Sequence, residues 1–191
     1  IPAKNGAKTI SKVIKQSLKY GEVVVIDDGS TDNTLKISKK NGAKTIKNKN
    51  NLFYDKTLNV GFEYAKKKKF KFIVTVDADG EHDLKMIPIF FKLLNDGYDL
   101  ILGKRNKLPR FSEKLASFVY KKKYNICDLY CGMKGYNLKW VRKFKVFDRF
   151  DSLGTDLATR IIKNKNSKYK EIIVKTNLRK DTPRIGNIFS G

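Results

Sequence analysis

Apolar and polar positions follow two alternating rhythms along the first hundred residues. Glu22-Val23-Val24-Val25-Ile26 is a short β-branched run ending at Asp27. Ala43–Ile46 is a weaker run, Phe70–Val76 a strong one, and Tyr98–Leu102 another that ends at Gly103. Such continuous apolar character does not suit a sheet with one wet face, and it predicts parallel strands covered on both sides. Between these runs the period becomes helical. Thr9–Leu18 places Ile10, Val13, Ile14 and Leu18 on one stripe, and Thr31–Lys40, Thr57–Lys68 and Leu84–Asn95 supply further helices. Ser30 or Thr31 stands where an N-cap is wanted. With a first strand at Ile1-Pro2 the order is βαβαβαβαβ. That order predicts an α/β fold, an open doubly wound and mostly parallel sheet with helices on both faces. The chain opens without Met inside that strand, so further residues are expected to precede it.

Beyond Arg105 the rhythm weakens. Residues 106–123 contain Pro109 and the basic run Lys121-Lys122-Lys123. Tyr130–Tyr136 reads as a strand with two glycines, Thr155–Lys163 as a helix and Glu171–Thr176 as a strand. Residues 177–191 read as a basic loop. No repeat or linker interrupts the chain, so 1–191 is expected to be one domain with a ligand-binding half, 1–105, and a second half, 106–191.

Charge adds a clue to this pattern. The 191 residues carry a formal charge of +23, which invites phosphate in a nucleotide, a nucleic acid or an anionic membrane. Lys far outnumbers Arg, so a general lysine bias explains part of that excess. No run of about 18 apolar residues exists, and no signal-peptide pattern is present. Cys127 and Cys131 with the single His82 cannot complete a structural zinc site, and two free thiols suit a reducing cytosol.

Two acidic blocks stand at strand ends, where ligands of doubly wound sheets bind. The first is Asp27-Asp28-Gly29-Ser30-Thr31-Asp32-Asn33-Thr34. Helix capping explains its Ser and Thr, but two adjacent carboxylates at the end of a buried strand need a partner. They are suited to accept hydrogen bonds from a base N–H or ribose hydroxyls. The second is Asp77-Ala78-Asp79-Gly80-Glu81-His82. Two carboxylates one residue apart can converge on a hard cation, Mg²⁺ or Mn²⁺, and let it bridge them to a diphosphate. His82 is a candidate metal or phosphate neighbour.

Taken in order, these blocks resemble a known family. Pro2-x-x-Asn5, Asp27 through Thr34, Asn51 through Asn59-x-Gly61, Asp77-Ala78-Asp79-Gly80 with His82, and Gly103-Lys104-Arg105 are similar to family 2 glycosyltransferases of the GT-A fold, most of all the dolichyl- or polyprenyl-phosphate sugar transferases. The resemblance implies that Pro2, Asn5, Asp27, Asp28 and Ala78 hold a nucleotide sugar. Asp77 and Asp79 would sit at the metal and diphosphate. Arg105 would face a phosphate. Asp156, in Gly154-Thr155-Asp156-Leu157, would be the catalytic base, with Asp151 and Asp128 as alternatives; a phosphate acceptor, already ionised, would need no base. The tail Arg179-Lys180-Asp181-Thr182-Pro183-Arg184 resembles a basic loop that closes over phosphates, which makes Arg179 and Arg184 candidates. The chain departs from the family at Lys4 and Gly6, where an aromatic and an acidic residue are usual. It departs again at Leu52-Phe53-Tyr54-Asp55, where small residues are usual.

The expectation is therefore a metal-dependent, inverting transferase in cell-surface polysaccharide or glycolipid synthesis. Its donor would be a nucleotide-diphosphate sugar, its acceptor a glycan or polyprenyl phosphate, and its place the cytoplasm at the inner face of an anionic membrane. A basic nucleic-acid-binding module is the alternative for the charge, but two acidic clusters repel a phosphate backbone, and no nucleic acid is expected. A nucleotidyltransferase of related topology lacks the glycine-rich basic opening loop here.

Overall fold

The computed structural model describes residues 1–106, 108 and 111–176, without the side chains of 111 and 112. The expected Arg179 and Arg184 contacts lie outside the described residues.

The chain runs β1 (Pro2–Ala3), α1 (Ile10–Ser17), β2 (Val24–Asp27), α2 (Thr34–Lys40), β3 (Lys44–Lys47), α3 (Phe53–Lys67) and β4 (Phe72–Thr75). A 3₁₀ turn at Leu84–Met86 leads into α4 (Ile87–Asn95) and β5 (Leu100–Arg105). Then come α5 (Phe111–Tyr124), β6 (Lys134–Asn137), α6 (Lys139–Phe144), α7 (Asp156–Ile162) and β7 (Tyr169–Val174). The strands form two ladders. β1-β2-β3 is parallel throughout, with Ile26 beside Ile46. The other runs β4-β6-β5-β7, where β6 is antiparallel to both neighbours and β7 is parallel to β5. Because β4 and β5 both oppose β6, their carboxyl ends share one edge.

Side-chain alternation on β5 shows why the strands are apolar on both faces. Leu100 and Leu102 join a cluster with Phe62, Tyr136, Leu157 and Ile161, while Ile101 joins Val76, Phe90, Leu94, Met133 and Val174 on the other side. β6 alternates in the same way. Tyr136 meets Phe62 edge-on with ring centroids 5.3 Å apart, and Phe62 stacks on Phe147 at 4.2 Å. Gly135 faces the other layer, where an added Cβ would sit 3.0 Å from Phe90, so the glycine sets how closely α4 packs.

α1 buries Ile10, Val13 and Ile14 of its predicted stripe, while Leu18, just past the helix end, is exposed. α2 starts at Thr34 rather than Thr31, because the preceding groups serve another purpose. Asn5 N–H donates to Ser30 Oγ at 2.9 Å, Thr31 N–H donates to Asn5 Oδ1 at 2.9 Å, and Ala7 N–H donates to Asp32 Oδ2 at 3.1 Å. These bonds tie the loop after β1 to the loop after β2. An apolar cavity of about 330 Å³ lies between the two ladders, lined by residues such as Val24, Ile26, Phe62, Phe72 and Val74.

Candidate active site

The carboxyl ends of β1, β2 and β4 open onto a second cavity of about 670 Å³. Pro2, Ala3, Lys4 and Asp28 form one wall, and Asp77, Ala78 and Asp79 form another. Phe53, Tyr54 and Asp55 at the start of α3 close a third side together with Asp151 and Leu153. Four acidic residues of the sheet edge and the helix start thus meet in one space, which an anion enters only with a cation.

Asp28 is held ready within it. Its Oδ1 accepts from Asn48 Nδ2 at 2.9 Å and from Leu52 N–H at 2.7 Å, which leaves its other oxygen for a ligand. Asp27 lies behind it, fully buried, and neither of its oxygens has a hydrogen-bond partner. A buried carboxylate in that condition is costly, and it leaves acceptor capacity at the floor of the β2 end.

Asp77 is positioned from three directions. Tyr54 Oη donates to its Oδ1 at 3.2 Å, and His82 Nε2 lies 3.9 Å from its Oδ2. The third neighbour is Gly132, where an added Cβ would fall inside the Asp77 carboxylate. Gly132→Ala is therefore expected to displace Asp77, lowering turnover about tenfold or more while melting changes by no more than about 2 kcal/mol. Unchanged turnover in that variant would show that the orientation of Asp77 is unimportant. Burial works against charge on His82, but Cys131, Asp77 and Asp79 favour it and prevail, pushing its pKa up to about 9. Lys134, also buried, stands near the same carboxylate; burial lowers its pKa against the opposing pull of Cys131, Asp77 and Asp128. Asp79 Oδ1 accepts from Glu81 N–H at 3.0 Å around Gly80, whose φ of 76° suits glycine.

The loop before α7 is pinned to α3. Asp55 accepts from Leu153 N–H at 3.0 Å and from Gly154 N–H. Asn59 accepts from Phe147 and Asp148 N–H at 3.0 Å each and donates to Asp148 C=O at 2.9 Å. Asp55→Ala leaves two N–H groups of that loop without their acceptor. We expect a loss of about 2 kcal/mol, read as a fall of several degrees in Tm, with a larger proportional fall in activity. Asp55→Asn keeps one acceptor oxygen and should recover part of both.

The glycosyl transferase family 2 model matches residues 1–144. The chain belongs to glycosyltransferase family 2. It is 31% identical over 126 residues to a dolichyl-phosphate hexose transferase of Haloferax volcanii, covering 59% of this chain and 52% of that one. It is 32% identical over 130 residues to a UDP-N-acetylglucosamine–dolichyl-phosphate N-acetylglucosaminyltransferase of Methanococcus voltae, covering 58% and 52%. The chain thus spans about half the length of these transferases. Among solved structures, glucosyl-3-phosphoglycerate synthase of Mycobacterium tuberculosis with Mn²⁺, UDP and phosphoglyceric acid aligns over 95% of this chain and 69% of that one, at TM-score 0.72 and 15% identity. That likeness shows the GT-A α/β fold.

The family 2 motif residues divide into two groups. Pro2, Asp28, Asp77, Ala78 and Asp79 line the cavity together. Asn5 braces two loops from outside it, and Asp27 lies beneath. Two candidate residues are engaged by neighbouring side chains. Arg105 does not face the cavity: Nε and Nη2 bond Asp128 at 2.7 and 2.9 Å, and Nη2 also reaches Glu113 at 3.1 Å. Asp156 is held by two arginines. Arg149 bonds both its oxygens, at 3.0 and 3.1 Å, and Arg160 Nε adds a bond at 3.1 Å. Burial works to raise its pKa, yet the two guanidiniums outweigh that and hold it below the usual carboxylate range.

Tyr54, Asp55, Gly132 and Lys134 were not foreseen as site residues. Tyr54 and Asp55 did carry a signal, since they stand in the segment that departs from the family's small residues. A divalent cation suits what is present. The donors are hard carboxylate oxygens of Asp77 and Asp79. Among the described residues no group of three or more His, Cys, Asp or Glu could hold a metal alone, so diphosphate oxygens and water would complete its shell.

Proposed function

We propose that the protein is a metal-dependent, inverting glycosyltransferase that moves a sugar from a nucleotide-diphosphate sugar to a polyprenyl-phosphate acceptor. The observation carrying this reading is the convergence of Asp28 with Asp77 and Asp79 on one cavity. Asp28 and Asp27 offer acceptors to the base and ribose. Asp77 and Asp79 would hold Mg²⁺ or Mn²⁺, which would supply positive charge to offset that of a diphosphate leaving group. Tyr54, Gly132 and His82 keep Asp77 in place for that task. The acceptor oxygen attacks C1 from the side opposite the diphosphate, inverting the anomeric centre.

The state of Asp156 favours a phosphate acceptor over a glycan hydroxyl. A hydroxyl needs a base, and Asp156 is neutralised by two arginines. A phosphate arrives ionised and needs none, and Asp156 then serves to position Arg149 and Arg160. The two dolichyl-phosphate transferases among the relatives point the same way. No described helix is long and apolar enough to cross a membrane. A lipid-linked acceptor would bring this domain against a membrane surface, which we place at the inner, cytoplasmic face, in glycolipid or cell-surface polysaccharide synthesis.

Thermal melting with UDP, GDP, CMP or ADP, each with and without Mn²⁺, tests the donor half. At about 100 times its dissociation constant a ligand adds about 2.7 kcal/mol, a shift of several degrees here. One diphosphate should win, and only with metal. No shift with any of them would remove the donor from this reading.

A further inference from the structure

We propose that α5 is a docking surface for an anionic lipid bilayer. The proposal rests on the lipid-phosphate acceptor reading above and names the part of the molecule that meets the lipid.

The orientation of α5 is fixed by its inner face. Glu113 in the first turn reaches Arg105 at 3.1 Å, and Tyr120 and Tyr124 pack against the cluster around Leu100 and Tyr136. Tyr169 Oη donates to Tyr124 C=O at 3.3 Å. The opposite face cannot then turn inward. It carries Leu115, Phe118 and Val119, which are 60%, 69% and 54% exposed. Their i, i+3, i+4 spacing makes one apolar stripe on a helix that is otherwise lysine-rich. An exposed stripe of that kind has a partner.

Charge selects which partner. Lys114 borders the stripe and Lys121, Lys122 and Lys123 follow it, all four exposed. The only acidic residue of the helix, Glu113, is turned inward onto Arg105. The outer face is therefore apolar and purely cationic, on a chain of charge +23. A second copy of this chain would bring like charge against like. A surface of anionic headgroups over acyl chains satisfies both features, taking the lysines at the headgroups and Leu115 and Phe118 just below. α5 begins beside the carboxyl end of β5, the sheet edge that carries Asp77, and runs back toward Tyr169, which pairs with Leu100 at the amino end of β5.

Cosedimentation with vesicles tests this. The probe is phosphatidylcholine containing about one-third phosphatidylglycerol, against phosphatidylcholine alone. The protein should bind the anionic vesicles and lose binding as salt rises. Leu115→Ser with Phe118→Ser should weaken binding about tenfold or more, and so should Lys121→Gln, Lys122→Gln and Lys123→Gln together. These side chains are exposed, so both variants should melt as the parent does and keep its Mn²⁺-dependent nucleotide shift. Variants that sediment like the parent would overturn the proposal. So would equal binding to neutral vesicles, or a lipid-free dimer that the apolar variant dissolves. A parent chain that binds anionic vesicles through α5 but shows no nucleotide shift would instead sink the transferase reading and leave the lipid surface standing.

Discussion

Asp79→Ala is expected to lower sugar transfer by about a hundred- to a thousandfold, the scale seen when one preorganised contact to developing charge is removed. The reason is electrostatic. The leaving diphosphate enters a cavity already lined by Asp28, Asp55, Asp77 and Asp151. Without a shared cation these groups repel it. The bond that Asp79 accepts from Glu81 N–H is local to its own turn. Asp77→Ala should cost as much activity and also some stability, because it deprives Tyr54 of its acceptor and buried His82 of a nearby counter-charge. The check is turnover against Mn²⁺ concentration, with melting as the control for folding. Loss of activity without loss of the metal-dependent nucleotide shift would mean that Asp79 acts on the sugar and not on the cation.

Arg105→Ala should have the largest effect on stability. The substitution strands Asp128, 1% exposed, and Glu113, 7% exposed, without their guanidinium. Breaking a buried pair from one side costs about 3–5 kcal/mol, because a charge is left desolvated and unpaired. For a chain of this size that is a fall in Tm on the order of 10 °C. Arg105→Lys should recover only part of it, since an ammonium lacks the fork that bonds Asp128 through two nitrogens. A ligand-facing arginine would behave oppositely, raising KM with little change in melting. Thermal melts of the three proteins separate the two cases.

The difference between Arg105 as read and as found shows where sequence reasoning stops. Its place at the end of β5 was legible, because the apolar run Tyr98–Leu102 marks the strand and Arg105 follows it closely. Its partners were not, since Glu113 and Asp128 lie 8 and 23 residues away and meet it only after α5 folds back. Asp156 repeats the lesson: its place at the start of α7 was legible, and Arg149 and Arg160 on its carboxylate were not. β2, β4 and β5 were legible because burial on two sides writes itself as an unbroken apolar run. The direction of β6 has no such signature, since parallel and antiparallel strands share a period of two. α5 was hidden by lysines, because only Glu113, Tyr120 and Tyr124 mark the face it buries. The two acidic blocks were legible as a pair, and the cavity joins Asp28 to Asp77 and Asp79. The walls supplied by Tyr54, Asp55, Asp151 and Leu153 depend on contacts across about a hundred residues, such as Asp55 to Leu153, that no local pattern records.

The most direct measurement is release of nucleoside diphosphate from UDP- and GDP-sugars in the presence of a polyprenyl phosphate, with Mn²⁺ and then with chelator. Release that requires both the lipid phosphate and the metal, and that Asp79→Ala abolishes, is the predicted result. Release that proceeds equally in chelator, or no release with any donor while the chain remains folded, would contradict a cation shared between Asp77, Asp79 and a donor diphosphate.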